Sequence, residues 1–240
     1  MGDWTSYAVA DFVPFTAEVY FRLIARVSER LWPLHAVTLG AGLAAAGLAW
    51  SGRTRIAGML LAAILAWVGV VFLAGEYAQL NWAGTWFGGA FVAAAALLLL
   101  FTVPGPRGPA RPPARPPARL RTRSVPELAG LLLAALGLLV YPLIAPLAGN
   151  GWSRAETFGI HPDPTAVAAL GIVLMMLRGS RLWPVGIVLL SWCLVSALTL
   201  QVLDAPWAYL LHAAAGVALL AMLWTSVAGG RSRPTKSSGS

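Results

Sequence analysis

The side chains of this sequence that could do chemistry are three histidines and a few carboxylates among long apolar runs. His161 and Asp163 belong to one polar turn, which reads Gly-Ile-His-Pro-Asp-Pro-Thr over residues 159–165. Histidine nitrogens and carboxylate oxygens can hold a divalent metal ion such as zinc, or relay protons. We therefore expect a ligand site here, with His161 and Asp163 as candidate metal ligands. The alternative is a helix cap beside a loop histidine, because no spacing in the chain matches a recognised zinc motif.

The polar turn leads into a short apolar segment. Asp163 is a good N-cap residue and Pro164 suits the first helical position, so a helix is expected to start here with its amide dipole facing the turn. The segment 164–177 would be about 21 Å long at about 1.5 Å per residue, against a hydrocarbon core of about 30 Å. If it spans, the polar turn is recessed below the membrane surface.

Five further polar residues are predicted to lie in the same outer layer, at or near the ends of apolar segments: His35, Glu76, Asn150, Asp204 and His212. Ionisable groups at this depth are costly unless they are paired, hydrated or functional, so we expect an outward-facing ligand-binding vestibule. Alternatively, Glu76, Asp204 and His35 are ordinary interfacial residues. His212 could instead make a structural hydrogen bond, and Asn150 could cap its loop.

Two other kinds of chemistry are weighed against a metal ion. His35 and His212 at similar depth on separate helices would allow a b-type haem, but shared depth is the one argument for it, so we do not favour it. An enzyme is not expected. The sequence contains no nucleophile elbow, His-Glu-x-x-His motif, phosphate loop or dinucleotide fingerprint.

Composition identifies the class of protein. Of 240 residues, 58% are hydrophobic and 11% are charged, which is too few polar residues to cover a soluble globule. We therefore predict an all-α polytopic membrane protein with the lipid bilayer as its main partner. The net charge of +8 does not indicate nucleic acid, because the basic residues lie at the ends of apolar segments. The single cysteine, Cys193, excludes an intrachain disulfide and a cysteine-cluster metal site.

Seven apolar segments are predicted to span the membrane: 32–50, 56–74, 82–103, 127–148, 164–177, 182–203 and 206–227. An amphipathic interfacial segment, 1–31, precedes them, with a helix capped by Thr16 and a hydrophobic staple of Phe15 on Tyr20. The predicted organisation is thus 1–31, spans one to three over 32–103, a linker 104–126, spans four to seven over 127–227, and a disordered basic tail 228–240.

Basic residues predict the orientation. With seven spans, four clusters of arginine and lysine, after spans one, three, five and seven, all lie on one side. The positive-inside rule makes that side cytoplasmic, with the N-terminus outside and the C-terminus inside the plasma membrane. The Pro- and Arg-rich linker would be a stiff cytoplasmic connector, and its arginines would attract anionic lipid headgroups at about 1 kcal/mol each.

Several short motifs resemble an uncharacterised family of bacterial multi-pass membrane proteins, sometimes labelled permease-like. They are Phe-Thr-Ala-Glu-Val-Tyr at 15–20, Trp-Pro at 32–33, Asn-Trp-Ala at 81–83, Tyr-Pro-Leu-Ile at 141–144, and Phe-Gly at 158–159 leading to Pro-Asp-Pro-Thr at 162–165. The resemblance implies the multi-pass topology. It also implies that members often carry Cys between the two prolines, where this chain has Asp163, which puts a soft-metal thiolate site in doubt.

The leading functional hypothesis is a transporter-like or small-ligand-binding membrane protein, with His161 and Asp163 at a half-helix N-terminus. The alternative is a non-transport subunit or assembly factor that binds other membrane proteins. Small-residue runs at 40–42 and 84–89 suit close helix packing within the chain or between chains, so they leave both open.

Overall fold

The computed structural model of this chain describes residues 9–103 and 124–230, and every regular element in these ranges is helical. We number the eight main helices in chain order: α1 Ala17–Arg30, α2 Leu34–Trp50, α3 Thr54–Gln79, α4 Ala83–Thr102, α5 Val125–Leu147, α6 Pro162–Met176, α7 Leu182–Val202 and α8 Ala208–Gly230. Each predicted apolar segment is therefore a helix, and so is the amphipathic segment before them.

Five of these helices, α3, α4, α5, α7 and α8, are long and apolar enough to cross a membrane. Together α1 and α2 would supply a sixth crossing, although the chain bends by 90° between them. The 15 residues of α6 are about 22 Å of helix, shorter than the roughly 20 residues that a full crossing needs. By length and composition, the described residues thus contain helices for five crossings, or for six if α1 and α2 count as one.

The amphipathic helix α1 starts where the sequence predicts. Thr16 is its N-cap, and the Thr16 hydroxyl accepts the backbone N–H of Val19 at 3.4 Å. The predicted staple is present as well, because Phe15 stacks on Tyr20 with ring centroids 5.8 Å apart. One face of α1, including Tyr20 and Ile24, is buried against the rest of the protein, which fixes this helix across one end of the bundle.

The predicted linker and tail fall largely outside the described residues. The linker 104–126 enters the structure at Ser124, and α5 begins at Val125, slightly earlier than predicted. There the Glu127 carboxylate accepts the Ser124 backbone N–H at 3.1 Å, which caps the helix. At the other end, α8 continues to Gly230, so the first residues of the predicted tail are helical.

The core of the fold is α6, which is buried on every side from Pro162 to Met175. A helix that is apolar all round is expected in the centre of a bundle. Helix α5 packs so closely against α6 that the two backbones are in contact. A methyl group added to Gly130 would lie 2.6 Å from the carbonyl oxygen of Gly171, which is closer than real contacts allow.

Contacts at its two ends show that α6 runs antiparallel to α5. The Tyr141 hydroxyl meets the Asp163 carboxylate at the start of α6, and Arg178, just after its end, pairs with Glu127 in the first turn of α5. Tyr141 lies between one and two helical turns before the end of α5 at Leu147. The polar turn is therefore recessed from the end of α5.

Two π-helical stretches point side chains toward the start of α6. Helix α3 changes to π geometry over Gly69–Glu76, and α5 does so over Leu136–Val140. The first stretch carries Phe72, whose ring packs edge-on against His161 at 5.6 Å, and the second immediately precedes Tyr141. Such turns rotate the following residues relative to an α-helix and are frequent at functional sites.

Candidate functional site at the start of the central helix

The central helix starts two residues earlier than predicted. His161 is the N-cap and Pro162 the first helical residue, so the prediction of Asp163 as the N-cap was wrong. Both Pro162 and Pro164 fit in the first turn because its N–H groups have no partner within the helix. The Thr165 hydroxyl then closes the turn, since it accepts the Gly159 N–H at 2.8 Å and donates to the His161 carbonyl at 2.6 Å.

This shift frees the Asp163 side chain to turn into the bundle, where it is fully buried. Its carboxylate accepts three hydrogen bonds, from the Trp192 indole N–H at 2.8 Å, the Ser196 hydroxyl at 2.7 Å and the Tyr141 hydroxyl at 3.3 Å. Three donors on two other helices are what an ionised carboxylate needs when water is absent. These three hydrogen bonds favour the ionised form of Asp163, whereas its burial opposes that form.

Aromatic rings complete the wall around Asp163. Trp192 is held edge-on by Tyr77, Phe87 and Phe91, at ring-centroid distances of 5.7, 5.2 and 6.1 Å. Trp192 therefore has little freedom to leave its carboxylate partner.

His161 is close to Asp163 in the sequence and is also buried, but its side chain contacts Ser28 of α1 rather than α7. Its Nδ1 accepts the Thr157 backbone N–H at 3.1 Å, so the neutral ring carries its proton on Nε2, which lies 3.4 Å from the Ser28 hydroxyl of α1. Burial lowers the pKa of His161 from 6.5 to about 3, and the neighbouring His35 ring adds to the effect. His161 is thus a neutral contact between α1 and α6.

Glu156 is a buried carboxyl group that sequence analysis did not select. It lies in the loop between α5 and α6, and its buried Oε2 atom makes no hydrogen bond to the described residues. Burial raises the pKa of Glu156 well above 4.5, and the Asp163 carboxylate acts in the same direction. Since Asp163 has three donors and Glu156 Oε2 has none, Glu156 is the member of this pair that binds a proton more tightly.

Helix α1 covers the site from above. The Glu76 carboxylate, at the end of the π-helical stretch of α3, accepts Arg26 at 2.9 Å and Arg30 at 2.6 Å. With the contact of Ser28 to His161, these ion pairs fix α1 over the start of α6. Glu76, predicted as a ligand residue, is thus a link between α1 and α3.

The remaining predicted residues lie at different distances from this cluster. His35 is next to it, with its ring centroid 6.4 Å from that of His161. Asn150 lies in the loop after α5, where its side-chain oxygen accepts from Arg154 at 3.5 Å. Asp204 is exposed in the turn between α7 and α8, and the His212 ring bonds the Ala208 carbonyl of its own helix at 3.0 Å.

The structure thus brings together His161, Asp163 and His35, with Glu76 holding the helix that covers them. Sequence analysis missed Trp192 and Ser196, which look like ordinary residues of an apolar run. Their spacing of four residues puts them on one face of α7, and that polar pair was the available signal. Within the described residues, no group of three or more His, Cys, Asp or Glu side chains could hold a metal ion. The metal interpretation of His161 and Asp163 stays a prediction.

Comparison with known proteins adds the family. Residues 17–233 match the family of unknown function DUF6064. The chain belongs to this family. No curated protein and no solved structure matches the chain. The resemblance to an uncharacterised family is therefore confirmed at that level, and any function has to be argued from the site itself.

Proposed function

We propose that this DUF6064 member is a transporter-like membrane protein that moves protons through its helical bundle, with Asp163 and Glu156 as the relay. The observation that carries the proposal is the fully buried Asp163 carboxylate, held by Tyr141, Trp192 and Ser196 at the start of a short central helix. Ionisable groups inside membrane proteins are costly, and in transporters they mark ion and proton pathways. Half-helix N-termini at such sites favour negative charge.

The two carboxyl groups have complementary properties for a relay. Glu156 favours the protonated form, whereas Asp163 has the donors that stabilise the ionised form. A proton that leaves the Glu156 carboxyl and binds to the Asp163 carboxylate moves one negative charge from Asp163 to Glu156. The Tyr141 hydroxyl donates to the Asp163 carboxylate, so it could pass a proton to this group.

In this arrangement the relay is occluded, and α1 is the element that would open it. His161, Asp163 and Glu156 are buried beneath α1, which is held by the ion pairs of Arg26 and Arg30 to Glu76. The predicted outward-facing vestibule would be the state in which this helix has moved away. The arginine ends of these pairs are more than half exposed, so water can solvate them when the contact opens.

The proposal includes seven crossings of the plasma membrane. The N-terminus then lies outside the cell and the C-terminus lies in the cytoplasm. The antiparallel course of α6 supports this topology, because Arg178 after α6 pairs with Glu127 at the start of α5. This pair puts Arg178, after α6, at the same end of the bundle as the start of α5.

The test is proton flux in liposomes that contain the purified protein and a trapped pH-sensitive dye. When a potassium diffusion potential is imposed, wild type should acidify the interior faster than empty liposomes do. Asp163→Asn and Glu156→Gln should abolish that difference, whereas Glu18→Gln, an exposed carboxylate on α1, should keep it. Flux in the Asp163→Asn protein equal to wild type would remove Asp163 from the mechanism. Wild-type flux no greater than that of empty liposomes would overturn the proposal and favour the alternative of a non-transport subunit.

A further inference from the structure

A cleft of about 700 Å³ lies at the right-angle bend between α1 and α2, where α5 and the loop 148–161 close it. We call it the bend cleft. We propose that the bend cleft binds a neutral membrane lipid of the quinone class, with a flat carbonyl-bearing ring at the bend and an apolar tail between α2 and α5. The bend cleft does not include Asp163 or Glu156, so this proposal is independent of proton movement.

Size and lining make the bend cleft a ligand site rather than a packing defect. Small-molecule sites typically enclose about 300–1,000 Å³ and are mostly apolar, with a few polar groups that orient the ligand. The wall here includes Leu39 of α2 and Leu138 of α5, and its polar side chains are Ser28, Glu29, His35, Ser153 and Thr157. The cleft has the composition expected for an amphiphile that enters from the bilayer.

Two buried polar atoms at the bend have no hydrogen-bond partner among the described residues. They are Oγ1 of Thr157 and Nδ1 of His35, and the His35 ring has a weak interaction with the Leu31 backbone. Unpaired buried polar atoms are rare and costly, so a ligand atom that pairs with either of them would stabilise the complex. A hydroxyl and an imidazole N–H both donate, and carbonyl oxygens of a ligand would accept from them.

Rings at the bend favour a flat head group. Trp32 and His35 lie with ring centroids 5.8 Å apart, and Trp152 lines the same cleft from the loop after α5. Both tryptophans are largely exposed, at 70% and 69%, so their faces are available to a ligand ring. Stacking on such faces is favourable for a planar conjugated ring and gives little to a glycerol head.

The charge of the lining residues and the direction of the cleft further define the ligand. Among the described lining residues the single charged side chain is the acidic Glu29, so a phosphate head would meet repulsion and no cation. His35 is in the first turn of α2, and Leu39 lies one turn further into that helix. Leu138 precedes Tyr141 on α5, again away from the loop. The polar head therefore lies at the bend, and the tail extends along the helices.

The test is binding of a ubiquinone with a short prenyl tail to the purified full-length protein in detergent, measured by equilibrium dialysis. We expect saturable binding of one molecule per chain. Thr157→Val and His35→Phe should each weaken it about tenfold or more, because a donor to a ligand carbonyl is lost. Leu39→Trp, which fills the tail region, should abolish it. Thr85→Val, on the exposed face of α4, should bind as wild type does.

Each variant is first compared with wild type in thermal unfolding, so that a folding defect is recognised, and Leu39→Trp tests the cleft without touching its polar groups. No saturable ubiquinone binding to wild type would overturn the proposal. Equal binding by wild type, Thr157→Val and Leu39→Trp would place the ligand elsewhere and overturn it too. Dioctanoylglycerol or dioctanoyl phosphatidylglycerol that binds as tightly as the quinone would show that the flat, neutral head is not what the cleft selects.

Discussion

At the scale of residues, one hydrogen-bonded carboxylate connects three helices. Asp163 starts α6, Tyr141 belongs to α5, and Trp192 and Ser196 belong to α7. Sequence analysis selected Asp163 because two prolines flank it in an oily chain, and that choice identified a buried polar centre. It assigned the wrong local role, since Pro162 takes the first helical position that Pro164 was expected to take. A tandem of prolines two residues apart fits the first turn at either register, and tertiary hydrogen bonds decide between them.

The hydrogen bond from the Ser196 hydroxyl to the buried Asp163 carboxylate should contribute measurably to the free energy of unfolding. Ser196→Ala removes one of three donors to Asp163, and we expect the free energy of unfolding to fall by about 1–2 kcal/mol. Ser191→Ala on the same helix is the matched control, because its hydroxyl bonds the Val188 carbonyl of α7 itself at 2.8 Å. That control should change stability by less than about 0.5 kcal/mol. Denaturant titration in mixed micelles measures both, and equal losses would show that Asp163 does not depend on Ser196.

Glu156 predicts a particular dependence of stability on pH. Its pKa is raised by burial, so the folded state keeps a proton that the unfolded state loses above pH 4.5. Stability from this group therefore falls as pH rises from 4.5 toward the raised pKa. His161 acts in the opposite direction, because its pKa is lowered to about 3 and stability is lost as pH falls below 6.5. Between pH 4.5 and 6.5 the two groups act in opposite directions, so the Glu156 contribution is the difference between wild type and a variant that lacks only Glu156.

The corresponding variant is Glu156→Gln. As pH rises from 4.5, the thermal midpoint of wild type should decline relative to that of Glu156→Gln, which has no proton to lose. Glu18→Gln should decline as wild type does, since that carboxylate is exposed in an ion pair with Arg22. Identical slopes for wild type and Glu156→Gln would show that Glu156 is not protonated in the folded protein.

At the scale of elements, helix positions follow from apolar length, whereas their arrangement does not. All seven apolar segments are helices, and α1 was predictable from its cap and its two faces. The central place of α6 was not predictable, because a short apolar run reads the same whether lipid or protein surrounds it. The close backbone contact between Gly130 and Gly171 fixes the position of α6 against α5. A glycine in a helical sequence does not indicate which other helix it will contact.

The close approach of α5 and α6 makes Gly171 intolerant of a side chain. A methyl group there would collide with the backbone of Gly130 and Ala134, so Gly171→Ala should destabilise the protein by about 1–3 kcal/mol. Gly216→Ala in α8 is the control, because no atom lies within 4 Å of its added methyl group. Alanine is the better helix former by up to about 1 kcal/mol, so the control should be neutral or more stable. Thermal unfolding of the two variants should therefore move in opposite directions.

At the scale of the whole molecule, the number of membrane crossings depends on whether α2 and α6 each cross the bilayer. Seven crossings put Ser51 and Ser180 in the cytoplasm and Ser153 outside, and all three are exposed in turns or loops. Cys193 is the one cysteine of the chain, so Cys193→Ala provides a background for single-cysteine labelling. We expect a membrane-impermeant maleimide to label Ser153→Cys on intact cells. It should label Ser51→Cys and Ser180→Cys only after the cells have been lysed. Equal labelling of Ser153→Cys and Ser180→Cys in intact cells would mean that α6 enters and leaves on one side, which would also remove the half-helix site from the path of a proton.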